Sequence, residues 1–484
     1  MYTISVNLHG MDFKALEQEV YRQLCRIGRE YLKDILQGID DQILKERDRE
    51  VYRSKGLKAT NTKTVMGPVD YQRRVYICHE VNGERGCHYL LDEALGIASV
   101  GRMSVNLVEK IVENASMVAM RKAASQVTEM TGQDISPMGA WRVVQTVGQR
   151  IDAKEKKLVT RHREEPLKGT REVPVLFEEA DGVWLSMQRK DRPMTGHKRE
   201  MKLSVTYEGW EKDPQRRGGY LLKRKRVNAG YEEAEAFKEL RDAQIAAEYD
   251  TDALHTKIIN GDGAAWIKAG LDDENTHYQL DPFHKSRAVF RGVADKKEAG
   301  RLIQQLNSGE EEAALDRINE LIQETGGEIE PVRKLLPLKE YLMANKEGLR
   351  PYQLRPGIQL PSAPEGLEYR NMGTAEHHIC DVLAQRMKGR KMSWSVAGAN
   401  NLSKILAEKF SGRLYDTLDS MSQTVFPEAW VREVKTEIVP APVEDKPKIH
   451  HTVYRTRNGS LPLEGSIVTE DRKAIQRLFD RKGW

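Results

Sequence analysis

Three carboxylates occupy positions where a folding chain places charge only for a reason. Asp181 lies within the run VPVLFEEADGVWL, residues 173–185, in which apolar and β-branched residues surround Glu178, Glu179 and Asp181. A buried carboxylate costs free energy unless it is paired or binds a metal. Asp262 lies in TKIINGDGAAWIK, where an apolar strand ends, Gly261 and Gly263 flank the acid, and a helix begins. The C-terminal end of a strand is a usual place for a functional acid, and also for one that caps the next helix. Glu376 lies in GTAEHHICDVLAQRMKGRKMSW. On a regular helix it shares an apolar face with Cys380, Leu383 and Met387, whereas Asp381 falls on the polar side with His377 and Gln385. Hard divalent cations take oxygen ligands. Two of them about 3.5–4 Å apart can assist both the attacking and the leaving oxygen of a phosphodiester. The expected chemistry is phosphoryl transfer with Asp181, Asp262 and Glu376 holding Mg2+ or Mn2+, as two ions.

Strand parity refines the first of these motifs. Val175, Phe177, Glu179, Asp181 and Val183 face one side, and Leu176, Glu178, Ala180 and Trp184 the other. Glu178 is therefore expected to point away and to be expendable. Glu179 shares the side of Asp181, either bracing the site or pairing with a neighbouring basic residue. Gly182 is expected to leave room for phosphate.

The positioning elements follow from periodicity. Residues 12–48 carry apolar residues at steps of three and four from Phe13 to Ile43, a helix whose stripe either packs on its own chain or forms a short coiled coil. Strands follow around Asn82-Gly83, a dipeptide suited to a hairpin turn. Cys78-His79 and Cys87-His88 flank it, as half-buried hairpin residues or as an unusual zinc site. In 103–150, Ala119, Ala123, Ala124 and Val127 face inward on one helix. Gly132 turns the chain, Ser136 and Pro137 start a second helix, and Ala140, Val143, Val144 and Val147 face inward again. This is a helix-turn-helix or an ordinary helical hairpin. In the first case Trp141, Arg142 and Gln145 face DNA. Strands near 173–187, 200–208, 220–228, 256–260 and 277–281, mixed with helices, predict a mixed α/β core. Residues 292–348 are helical and charged, and 350–371 are a Pro-rich loop.

The 484 residues suffice for several domains. Lys+Arg is 77 and Asp+Glu 73, a net charge of +4 that does not by itself argue for nucleic acid. The basic residues cluster near the acids, however: Arg199 and Lys202 after the first, Lys223, Arg224, Lys225 and Arg226 next, and Arg386, Lys388, Arg390 and Lys391 after the third. Such runs bind phosphate backbones. Four cysteines fit a reducing compartment. The N-terminus shows no signal-peptide pattern and no stretch reaches membrane-spanning length, so a soluble cytoplasmic protein is expected.

The segments EEADGVWL, INGDGAAWI, LDPFHKSR and GTAEHHI…QRMKGRKMSWS together resemble bacterial insertion-sequence transposases of the DDE class. The likeness is strongest to the ISLre-type group and more distant to Mutator-like transposases, and it covers roughly residues 60–410. It implies an RNase H-like catalytic core interrupted by a helical insertion and preceded by helical and helix-turn-helix DNA-binding regions. The corresponding boundaries are 1–60, a β-hairpin region at 61–100, a helix-turn-helix domain at 101–155, core at 170–290, insertion at 291–370, core again at 371–415 and a tail at 416–484. Asp181, Asp262 and Glu376 match the catalytic acids, and Asp281 and His284 an accessory Asp-x-x-His pair. The implied partners are transposon-end and target duplexes and a second copy of the chain, with metal-dependent strand cleavage and strand transfer as the activity; the alternatives are an RNase H-like nuclease without strand transfer and an inactive transposase-derived DNA-binding protein. Some distant relatives stack an insertion Trp on a flipped base. Residues 290–370 contain no Trp, which leaves Trp394 as a substitute.

Overall fold

The computed structural model describes residues 11–78, 86–96, 100–271, 274–327, 329–389 and 391–421. The first apolar stripe forms helix α1 (Phe13–Glu46), N-capped by Asp12, whose carboxylate accepts from the Ala15 amide at 2.8 Å. Its C-terminal half buries Leu36, Ile39 and Ile43, while Phe13 and Leu24 stay exposed nearer its start. A long antiparallel hairpin follows, β1 (Tyr52–Thr64) and β2 (Gly67–Cys78). It turns at Val65-Met66, with Gly67 at φ +109. The hairpin thus begins earlier than sequence suggested, because the polar alternation in KATNTKT hid one strand. Asn82-Gly83 and His79 lie outside the described residues. The segments either side of them pair, Tyr76 with His88 and Ile77 with Cys87. All four cysteines are free thiols.

Helices α2 (Val105–Met117), α3 (Met120–Met130) and α4 (Pro137–Glu164) come next. Ser136 caps α4 as its sequence predicts, its Oγ accepting from the Gly139 amide at 3.0 Å. Ala123, Ala124, Val127, Ala140, Val143, Val144 and Val147 are buried, whereas Ala119 is exposed as the N-cap residue of α3.

The alternating apolar segments from 173 onward assemble a five-stranded mixed sheet. Its strands are β3 (Val175–Ser186), β4 (Lys198–Tyr207), β5 (Arg226–Gly230), β6 (Thr256–Gly261) and β7 (Thr276–Leu280). The spatial order is β5-β4-β3-β6-β7. β4 runs antiparallel to β3 and β5, while β6 is parallel to β3 and β7 to β6. The predicted strand at 220–228 is divided. Tyr220–Leu222 joins a separate small sheet, and the chain breaks at Arg224, held at φ +48, before β5. Helix α5 (Ala234–Glu248) precedes β6.

After β7 the chain leaves the sheet through α6 (Pro282–Gly292), α7 (Lys296–Ser308), α8 (Glu311–Glu324) and α9 (Ile329–Ala344). With Tyr278 and Leu280 of β7 these helices build a second core from Val289, Leu302, Leu306, Ile318 and Leu342, in the stretch where the sequence predicts charged helices. The chain returns as one composite helix: an α-turn at Ala375–His378, a π-segment at Ile379–Ala384 and an α-turn at Gln385–Met387. Helix α10 (Val396–Phe410) then packs on α4 and β5. Its buried Lys404 pairs with Glu155 and Glu232 at 2.7 and 2.5 Å, which ties these elements together. No helix among the described residues is long and apolar enough to cross a membrane.

Candidate active site

Asp181 sits on the central strand β3, opposite Leu203 of β4, with 6% of its surface exposed. Its Oδ1 accepts from the Gly182 amide at 2.7 Å, and its Oδ2 lies 3.4 Å from Nε2 of His284. That hydrogen bond raises the imidazole pKa above its ordinary value, against the opposing effect of burial. His284 is placed by Asp281. The Asp281 carboxylate caps α6 by accepting from the Phe283 and His284 amides at 2.9 and 3.0 Å, and it accepts from Asn260 Nδ2 at 2.8 Å. In the Asp-x-x-His pair the acid is therefore the cap and the imidazole the group that faces the site.

Asp181, His284 and Glu376 each offer a ligand atom, all within 4.8 Å of one another. Asp181 is buried, His284 half-buried and Glu376 exposed, so the group opens toward solvent on one side. None of Asp181, Asp262 and Glu376 has a Lys or Arg ion-pair partner among the described residues, whereas Glu178, Glu208 and Glu232 each do. Two carboxylates without a Lys or Arg partner among the described residues, together with an imidazole, fit a divalent cation.

Asp262 stands outside this close group, just after β6. Its Oδ1 accepts from the Ala264 amide at 2.9 Å, and Tyr341 of α9 donates its hydroxyl to the Asp262 carbonyl at 2.9 Å. The local turn role and the position beside the site coexist. A further acid, Glu200 of β4, escaped sequence reasoning. Burial raises its pKa first, and the nearby charges of Asp262 and Asp181 add to the effect. A Cβ added at Gly182 would collide with the Glu200 carboxylate. The space over Gly182 is thus filled by a side chain and is not open to phosphate. Antiparallel pairing sets Glu200 opposite Trp184, two residues from Gly182, and that register could not be read from local pattern.

Glu179, on the same strand, is a brace. Its Oε2 accepts from the amides of Gly373, Thr374 and Ala375 at 3.0, 2.6 and 3.0 Å, and from Asn260 Nδ2 at 3.1 Å. Its Oε1 accepts from the hydroxyls of Tyr207 and Thr374 at 2.6 and 2.8 Å. Burial raises its pKa, while this all-donor shell favours the anion. It anchors the start of the helix that carries Glu376. Glu178 points to the opposite side, as parity predicts, but into a buried ion triad with Arg241 at 2.5 Å and Lys257 at 2.9 Å. Its expected expendability gives way to a structural role.

Glu376 is exposed rather than on a buried face. The π-segment at Ile379–Ala384 adds a residue to the turn and shifts the helix phase. Glu376 and Cys380 face out, while Leu383 and Met387 face in. Asp381 lies on the surface with His377 and Gln385 at 3.0 Å each, as predicted.

Most of the basic and aromatic residues assigned to DNA from sequence have protein partners. Trp141 packs against Gly398, and Gln145 accepts from Asn401 at 2.7 Å. Arg199 and Lys202 donate to the carbonyls of Tyr231 and Glu232 at 3.1 and 2.7 Å. Lys223 pairs with Glu211 at 2.7 Å, Arg224 with Glu248 at 3.1 Å and Arg226 with Glu408 at 3.0 Å, while burial lowers the Lys225 pKa. Arg386 is buried and donates to the Ala115 carbonyl at 2.7 Å. Trp394 is also buried, its indole N–H donating to the Met387 carbonyl at 2.8 Å, so it has no face free for a base. Arg142, Lys388 and Lys391 are exposed, and Arg390 lies outside the described residues. The basic residues that do border the acids were missed: Arg287 and Arg291 on α6, and Arg333 and Lys334 on α9, line a cleft with Asp262 and His284.

Comparison with known proteins matches residues 7–423 to the uncharacterised protein family UPF0236, and the chain belongs to that family. It is 26% identical to a UPF0236 protein of Caldanaerobacter subterraneus subsp. tengcongensis, covering 82% of this chain and 78% of the relative, whose name joins eleven locus designations. It is 23% identical to a UPF0236 protein in the vanSb 3′ region of Streptococcus gallolyticus, covering 82% of this chain and 83% of the relative.

Proposed function

We propose that this UPF0236 protein is a DNA transposase that binds the ends of an insertion sequence and catalyses metal-dependent strand cleavage and strand transfer. One observation carries the reading. In chain order the sheet strands lie 3-2-1-4-5 with only the second reversed, the layout of an RNase H-like core. Asp181 lies on the first of these strands, Asp262 follows the fourth and Glu376 begins the helix after the insertion. A relative carried under eleven locus designations in one genome is in keeping with a mobile element.

Asp181, Glu376 and His284 would hold a divalent cation, with Asp262 and Glu200 adding negative charge beside it. Bound there, a Mg2+ or Mn2+ ion supplies Lewis-acid assistance to phosphodiester attack and departure. The protein's own part is placement. Glu179 fixes the start of the Glu376 helix, Asp281 fixes His284, and the exposed side of the group admits a strand. Joining two ends requires at least two copies of the chain, and the exposed apolar residues at the start of α1 are the face we assign to that pairing.

The test uses purified full-length protein, pre-cleaved oligonucleotides bearing the element's terminal sequence, and a target plasmid, with Mg2+ or Mn2+. Joined product from wild type, lost in Asp181→Asn, Asp262→Asn and Glu376→Gln proteins that keep their melting temperature, is the expected result. Nicking without joining would reduce the protein to a nuclease. Unchanged activity in the three variants would remove the assigned acids.

A further inference from the structure

The cleft between α6 and α9 has a volume of about 450 Å³. One wall carries Arg287 and Arg291, four residues apart, one helical turn or about 6 Å along the axis. The other carries Arg333 and Lys334. Asp262 is the one carboxylate among the lining residues described, and it lies with His284 where the cleft meets the acidic group. Most other basic residues near the sheet are consumed by protein acids or carbonyls, as Arg199, Lys202, Lys223, Arg224, Arg226 and Arg386 are. Arg287, Arg291 and Lys334 have no carboxylate partner among the described residues, and Arg333 reaches only Glu330 of its own helix at 3.8 Å. Four like charges gathered on two facing helices repel one another, and a polyanion relieves that repulsion.

We propose that this cleft binds the sugar-phosphate backbone of one DNA strand and leads it past Asp262 to Asp181, His284 and Glu376. The inference rests on the transposase reading and adds to it the strand's route, which crosses the insertion. The cations come from two helices that line one cleft, and Arg287 and Arg291 stand one helical turn apart, a spread that suits more than one phosphate of a strand better than one compact anion. A cleft of about 450 Å³ accommodates a short stretch of one sugar-phosphate backbone. Guanidinium groups grip phosphate oxygens in pairs, and these contacts position the strand without reading its sequence.

The experiment compares wild type with the Arg291→Glu/Lys334→Glu double variant in EDTA, so that no cleavage occurs. Binding of a labelled single-stranded oligonucleotide is followed by fluorescence anisotropy from about 50 to about 300 mM KCl. Loss of two contacts should weaken binding at low salt by at least roughly 10-fold and flatten the slope of log K against log salt by about 1.4, near 0.7 per contact on a single strand. Arg291→Gln/Lys334→Gln, which removes charge without reversing it, should move both quantities the same way by less, and guards against a folding defect of the reversal. Unchanged affinity and slope in both variants, with unchanged melting temperature, overturns the proposal. Equal displacement of the oligonucleotide from wild type and variant by inorganic phosphate also overturns it. Cleavage assayed in parallel separates the two ideas. A wild type that cleaves DNA while the variants bind and cleave normally leaves the transposase reading standing and removes the cleft. A wild type that binds strands through these residues but never cleaves keeps the cleft and removes the transposase reading.

Discussion

Glu178 and Glu179 are neighbours with opposite fates, set by which side of β3 each faces. Glu178 enters a dry pocket with Arg241 and Lys257. Burial alone would raise its pKa, but the charges and hydrogen bonds of Arg241 and Lys257 pull it down to about 2. A carboxyl depressed in the folded state contributes stability that is full above its unfolded value near 4.5 and is lost as pH falls toward about 2. Glu178→Gln leaves two cations without their anion, and removing one partner of a buried pair costs about 3–5 kcal/mol. Chemical denaturation at neutral pH should show that loss. The variant's stability should also be flatter than wild type between pH 4.5 and 2, and identical pH curves would refute the triad's role.

The composite helix at 375–387 is the element on which the site depends most. Three backbone amides at its start converge on one carboxylate, Glu179, and its π-segment turns Glu376 outward toward Asp181 and His284. An anion at a helix N-terminus satisfies donors that the helix itself leaves unpaired. Glu179→Gln replaces it with an amide whose NH2 faces donors. Amide hydrogen exchange at Gly373, Thr374 and Ala375 should quicken, and on the transposase proposal DNA cleavage should fall roughly 10–100-fold, the range for residues that orient metal ligands. Mn2+ binding should survive, whereas Asp181→Asn should lose it. Loss of Mn2+ binding in both variants would mean that Glu179 is itself a ligand. Unchanged exchange would mean that the brace is idle.

Across the molecule, charge divides into residues that hold elements together and residues left to face a partner. Arg386 shows the first kind. Its guanidinium bonds the Ala115 carbonyl, joining the Glu376 helix to α2. Burial lowers its pKa to about 10. Arg386→Met strands a buried carbonyl and should cost about 1–3 kcal/mol, seen as a lower melting temperature. Its salt slope for oligonucleotide binding should match wild type. A flattened slope at unchanged stability would return Arg386 to the DNA surface.

The sequence by itself determined the elements that repeat with a local period and the acids that interrupt them. The apolar stripes of α1 and α4, the Ser136 cap, the parity of Glu178 against Glu179 and Asp181, the strand end at Asp262 and the charged helices of 292–348 were legible because each depends on neighbours a few residues away. Tertiary structure decided what depends on distant partners. It put Glu200 beside Gly182 through strand register, joined His284 to Asp181 across 103 residues of chain, and bound Glu179 to residues 194 to 196 positions away. It also gave most residues of the basic runs partners within the fold. Arg226 and Arg386 stand in conspicuous basic runs yet meet partners inside the fold, while Arg287, Arg291, Arg333 and Lys334 are scattered in sequence and meet across two helices. A local charge run records composition. Whether its charges remain free is fixed by which acids and carbonyls the folded chain brings within a hydrogen bond's length.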